Sequence, residues 1–84
     1  MITKNLKNIR KDLGLTQKQL ALASDIDLRR VQNYEQCRKS APLEAILKMC
    51  LVLGCEVKDL IEDEEVLQVL EEYLKMQSRN RKQR

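Results

Sequence analysis

Histidine is absent from this 84-residue sequence, and so are phenylalanine and tryptophan. Without histidine the chain lacks the commonest general base, the partner of serine and cysteine nucleophiles, and the commonest protein metal ligand. The three cysteines, Cys37, Cys50 and Cys55, are too few for a four-ligand zinc site and form no CxxC. Their odd number argues against a secreted disulfide scaffold. Gly14, Gly54 and Pro42 are the only glycines and proline, which leaves little chain for the turns of a sheet. Aromatic mass is confined to Tyr34 and Tyr73, so a core must come from Leu, Ile, Val and Ala, and such a core suits packed helices. The expected class is all-α. No nucleophile motif and no phosphate-cradling glycine loop is present, so the reading is a protein that is not an enzyme and needs no metal or cofactor. Met1-Ile2-Thr3-Lys4-Asn5 does not read as a signal peptide. No apolar run approaches the ~20 residues of a membrane span. The expectation is a cytoplasmic chain with reduced thiols.

What is present is charge, unevenly distributed. The net charge of +3 is the balance of a +5 stretch over residues 1–48, a −6 stretch over 49–77 and a +4 stretch over 78–84. A basic front half suits a polyanionic partner. A chain of this length makes one small domain that buries only about 60% of its unfolded surface. The division read from the sequence is a domain over 1–62, a further helix over 63–77 and a disordered basic tail over 78–84.

The organising stretch is Thr16 to Cys37, TQKQLALASDIDLRRVQNYEQC. Thr16 followed by Gln19 has the form of a capping box just ahead of Leu20-Ala21-Leu22-Ala23. Asp27 is placed to cap a second helix with its carboxylate. Ser24-Asp25-Ile26 between them is long enough only for a turn. At 100° per residue, Val31, Tyr34 and Glu35 share the inner side of the second helix, and Arg29, Asn33 and Gln36, flanked by Gln32, share the outer. Arg, Gln and Asn make bidentate hydrogen bonds to guanine and adenine edges in the major groove. A merely solvated helix more often carries Glu–Lys pairs. The face formed by Leu28, Arg29, Arg30, Gln32, Asn33 and Gln36 has no acid.

Ile9-Arg10-Lys11-Asp12-Leu13-Gly14-Leu15-Thr16-Gln17-Lys18-Gln19-Leu20-Ala21, followed by Ile26, Val31, Tyr34-Glu35, Pro42-Leu43-Glu44, Ile46-Leu47 and Leu53-Gly54, resembles the Xre-type, lambdoid phage repressor-like helix-turn-helix family over roughly residues 3 to 62. The resemblance implies a five-helix domain of the lambda-repressor type, here with an additional C-terminal helix. It implies that the N-terminal part of the second motif helix enters the major groove, with Leu28, Arg29, Gln32 and Asn33 at base edges. It implies phosphate contacts from the start of the first motif helix, Thr16 and Gln17, to which Arg30, Gln36, Arg38 and Lys39 are added from the flanks of the reading helix and the loop after it. It also implies an Arg10–Glu35 pair coupling the first helix to the reading helix. The family usually carries glycine where Asp25 and Cys37 stand. Aspartate tolerates left-handed backbone better than most residues and cysteine does not, so the loop after the reading helix is expected to differ in shape.

Elsewhere the pattern predicts a first helix from Thr3 to about Asp12 with Leu6, Ile9 and Leu13 buried, ended by Gly14. A fourth helix opened by Pro42 would bury Leu43, Ile46, Leu47, Cys50 and Leu53 and end at Gly54. Leu60 and Ile61 on a short fifth helix would close the core. From Asp63 on, Val66, Leu67, Val69, Leu70, Tyr73 and Leu74 are too much apolar surface for an isolated exposed helix. These six are read as a dimerisation surface, because symmetric DNA sites are read by symmetric dimers.

The expected function is sequence-specific binding of double-stranded DNA by a homodimer on a palindromic operator, as a transcriptional regulator with repression the default. One alternative is an antitoxin or restriction-controller type of DNA binder whose last helix holds a second protein. The other is a helical adaptor that does not bind DNA.

Overall fold

Four helix ends and chain turns close on residues with left-handed backbone, at Gly14, Asp25, Cys37 and Gly54 (φ 72, 54, 56 and 64°), and these set the architecture. The computed structural model describes residues 1–82, with side chains described as far as residue 77. Among the described residues the secondary structure is six helices: α1 Leu6–Asp12, α2 Gln17–Ser24, α3 Leu28–Glu35, α4 Leu43–Leu53, α5 Val57–Leu60 and α6 Glu64–Lys82. The expected all-α class, five helices plus one more, is what the chain adopts.

The first helix begins later than its periodicity suggests. Asn5 takes a left-handed conformation (φ 58°) and α1 starts at Leu6. The residues before it are held by distant partners. Thr3 is buried and its Oγ1 donates to the Tyr34 carbonyl at 2.8 Å, while the Lys4 amide donates to the Leu60 carbonyl at 2.6 Å. At the other end Gly14 N–H reaches Lys11 O and Leu15 N–H reaches Arg10 O, the paired bonds that close a helix on a left-handed residue. Leu13, expected inside, is 52% exposed, because the helix has already ended beneath it.

The capping box of α2 forms in full: Gln19 N–H donates to Thr16 Oγ1 at 3.0 Å, and Thr16 N–H donates to Gln19 Oε1 at 2.8 Å. Asp25 then turns the chain into α3. Asp27 precedes α3 without a side-chain hydrogen bond, so the expected carboxylate cap is replaced by an exposed, solvated acid.

Cys37 corrects a second expectation. It adopts the left-handed conformation despite its Cβ, because the same bond pair forms: Cys37 N–H to Tyr34 O at 3.2 Å and Arg38 N–H to Asn33 O at 2.9 Å. The loop after α3 therefore keeps the helix-ending geometry that glycine would supply. The Cys37 thiol also donates to the Thr3 carbonyl at 3.4 Å.

Helix α4 buries Ile46, Cys50 and Leu53 as expected, but its inner face is turned from Leu43 and Leu47 toward Ala45 and Met49. Ala45, Ile46, Met49, Cys50 and Leu53 are inside, whereas Leu43 and Leu47 are exposed. In a segment as apolar as LEAILKMCLVL, period alone does not choose the face; the packing of α2 against α4 does. The most deeply buried side chains, Leu6, Leu20, Val31, Ile46, Met49, Leu60 and Ile61, come from every element between α1 and the end of α5. Burial of each such side chain contributes about 1.5–3 kcal/mol. Helix α6 opens with the Val66 amide donating to Asp63 Oδ1 at 3.2 Å. Only Val66 and Leu67, at its start, are packed on the core as partly buried side chains. Helix α6 continues to Lys82, so residues 78–82 of the expected disordered tail are helical in their backbone, with side chains outside the described ones; Gln83 and Arg84 lie outside the described residues altogether.

Candidate nucleic-acid interface

Helix α3 is set in place by apolar anchors on one side and an ion pair on the other. Val31 and Tyr34 are inaccessible or nearly so and hold α3 on the core. Next to them Arg10 Nε donates to Glu35 Oε2 at 2.5 Å and Arg10 Nη2 donates to Glu35 Oε1 at 3.0 Å, a two-point guanidinium–carboxylate pair. The side chains are only 7% and 2% exposed. Arg10 Nη1 donates further, to the Leu15 carbonyl at 2.7 Å, which ties the α1–α2 connection into the same pair. Burial works to raise the Glu35 pKa. The hydrogen bonds from Arg10 and Gln17 and the Arg10 charge outweigh it and hold the carboxyl below its ordinary value.

The network continues to the surface. Gln17 Nε2 donates to Glu35 Oε1 at 3.1 Å, and Gln32 Nε2 donates to Gln17 Oε1 at 3.4 Å. One carboxylate thus orients Gln17, which orients Gln32. Both glutamines are half-buried, as is Asn33. Sequence reading placed Gln17 and Gln32 on separate helices with separate tasks. Their contact had no local signal, since the residues are 15 positions apart.

Arg29, Arg30, Gln36, Arg38 and Lys39 are exposed, as is Thr16 beyond its capping bonds, and Leu28 is 36% exposed. The turn and the two motif helices bring these residues together with Gln17, Gln32 and Asn33 along the two motif helices and the loop that follows. Arg29 and Arg30 carry cations on α3; Arg38 and Lys39 add two more just past its end. Asp25 and Asp27 are exposed in the turn itself. Such an arrangement offers donors for base edges and cations for phosphates.

No group of three or more cysteine or acidic side chains that could hold a metal ion occurs among the described residues, and no helix there is long and apolar enough to cross a membrane.

The model of the helix-turn-helix family matches residues 6–60. No curated protein matches the chain. Among solved structures it is similar to the restriction-modification controller protein C.AhdI from Aeromonas hydrophila, with 31% identity over 66% of this chain and 83% of that one, TM-score 0.64. It is similar to the clp gene regulator ClgR from Corynebacterium glutamicum, with 27% identity over 92% of this chain and 76% of that one, TM-score 0.62. It is also similar to a hypothetical transcription factor, NHTF, from Neisseria, with 28% identity over 79% of this chain and 75% of that one, TM-score 0.64. With the family match covering well over half its length, the chain belongs to the helix-turn-helix family of DNA-binding transcription regulators.

Proposed function

We propose that this regulator binds a palindromic operator as a homodimer and acts as a repressor. The observation that supports the reading most is the acid-free outer face of α3, held rigid from behind by the Arg10–Glu35 pair. Arg29 reads guanine, Gln32 and Asn33 read adenine, and Leu28 packs on a thymine methyl. Thr16, Gln17, Arg30, Gln36, Arg38 and Lys39 hold phosphates. Gln17 is the hinge of the arrangement, since its amide also steadies Gln32. The exposed apolar side chains of α6 support the dimer.

A second reading has its own support. Likeness to a restriction-modification controller favours a regulator of that kind, whose target would be the genes of a modification system.

Selection of sites from random duplexes tests the proposal. A regulator of this type yields two inverted half-sites whose centres lie about 34–36 Å apart, and specific and random DNA share a salt slope. Enrichment of no motif, with no affinity even at low salt, overturns DNA reading in favour of an adaptor. Enrichment of a single unpaired half-site overturns the dimer.

A further inference from the structure

Residues 1–4 run ahead of α1 without helical structure, yet they are tied to distant parts of the chain. The Lys4 amide donates to the Leu60 carbonyl at 2.6 Å, which fastens the segment to the body of the domain, and Met1 packs its side chain on the core. The hydrogen bonds of Met1 and Thr3 all reach one stretch, residues 34–41, where α3 ends and the loop to α4 begins. At the near end of that stretch Thr3 Oγ1 donates to the Tyr34 carbonyl at 2.8 Å, and the Cys37 thiol donates to the Thr3 carbonyl at 3.4 Å. At the far end the Met1 amino group donates to the Ala41 carbonyl at 2.9 Å and the Ala41 amide donates to the Met1 carbonyl at 2.7 Å. Facing residues of an antiparallel pair exchange two bonds in this way. The Met1 amino group also donates to Ser40 Oγ at 3.0 Å. Thr3 and Ala41 are buried, so each stitch has an enclosed residue at its centre.

Arg38 and Lys39 are the residues left between the two stitches. Both are exposed, and among the described residues neither has an acid within ion-pair distance. The helix-ending bonds of Cys37 and Arg38 fix the start of the loop but do not reach past Arg38. The far end is set by Met1. A loop already held in shape does not have to be ordered when its ligand arrives, and that saving appears as affinity.

We propose that residues 1–3 are a positioning element for DNA binding, holding the loop in the shape that presents Arg38 and Lys39 to the phosphate backbone. This rests on the reading of Arg38 and Lys39 as phosphate contacts. Thr3, being buried, acts through the two cations and not by touching DNA. Phosphate contacts carry no sequence information, so loosening the loop lowers affinity for every duplex alike and leaves base preference as it was.

The test is binding of the full chain, at low salt and well below its unfolding temperature, to a random-sequence duplex and to a duplex selected from such a pool. Thr3→Val keeps the buried shape and removes the hydroxyl donor. It weakens binding to both duplexes by the same factor, about two- to tenfold, which is what ordering one loop side chain on binding costs. Thr3→Ser, which keeps the donor, binds as wild type does. In the double variant Arg38→Ala, Lys39→Ala, adding Thr3→Val changes affinity no further, because the groups it acts through are gone. Cys37→Ala leaves Thr3 in place and removes only the thiol donor; it gives a smaller loss of the same kind, and Cys37→Ser restores binding. This second pair carries the test if Thr3→Val does not fold. If Arg38→Ala, Lys39→Ala weakens binding while Thr3→Val and Cys37→Ala do not, the positioning role is overturned and the phosphate reading stands. A Thr3→Val loss that persists in the Arg38→Ala, Lys39→Ala background is an effect on the domain as a whole and also overturns it. Full affinity of Arg38→Ala, Lys39→Ala overturns the phosphate reading and this proposal with it.

Discussion

Residues 1–61 and helix α6 use similar proportions of leucine and valine to opposite effect. In the first region the apolar side chains from α1 to α5 converge on one core, and Leu20, Val31, Ile46 and Leu60 are wholly inaccessible. In α6 the same residue types are spread over more than one side, and past Leu67 most of them stay exposed. Chain ends differ as well: the body's turns are pinned by specific backbone bonds, while α6 leaves the body after a single Asp63 cap. The contrast shows that hydrophobicity alone does not define a core. Convergence does, and past Leu67 most of the described apolar side chains of α6 do not join the core.

The largest expected effect lies in the body. Glu35→Ala strands a buried guanidinium and costs about 3–5 kcal/mol in chemical denaturation. The pair also makes stability depend on acid. Since the folded pKa of Glu35 lies below its ordinary 4.5, its contribution is complete above that value and is lost as pH falls through the folded pKa. Glu35→Gln therefore flattens the loss of stability that wild type shows as pH falls below 4.5.

Next comes a matched pair that bears directly on the comparison. Leu20→Ala costs about 2–5 kcal/mol at any protein concentration. Leu74→Ala changes the dilute protein by less than about 0.5 kcal/mol, yet removes the rise of Tm with concentration. Equal effects of the two substitutions in dilute solution would show that α6 belongs to the core after all.

At the interface, Arg29→Ala relaxes base preference at one position per half-site by about 1–3 kcal/mol, and Arg38→Ala weakens every sequence alike while lowering the salt slope by about 1. Binding to a panel of single-base operator variants separates them. The smallest effect is a gain. Cys37→Gly removes the left-handed cost of a side chain and raises stability by about 1 kcal/mol, less what the thiol bond to Thr3 returns. Asp25→Gly gains less, since aspartate tolerates that conformation better.

Local signals were legible where one residue dictates one geometry. Thr16 with Gln19, Gly14 and Gly54 were readable because each acts on its own few neighbours. The Arg10–Glu35 pair came through family resemblance, not through any local rule. What stayed hidden is long-range. Asn5 begins α1 because Thr3 and Lys4 are held by Tyr34 and Leu60, residues far along the chain. Leu43 and Leu47 stay exposed while Ala45 and Met49 are buried, a choice made by how α4 packs on the other helices and not by its period. The Gln17–Gln32 contact is of the same kind. Among the proposed reading residues, exposure separates Arg29 from Gln32 and Asn33 in a way that helical spacing did not.

The shared oxygen of Glu35, which receives both Arg10 and Gln17, has a bearing on how this protein could change its target. A substitution at position 32 loosens Gln17 and disturbs the anchor behind it, so a new base preference there arrives together with a less settled helix. Position 29 has no such tether among the hydrogen bonds of the described residues. Divergence among descendants of this regulator should run through position 29 first and reach position 32 only alongside compensating replacements at 17.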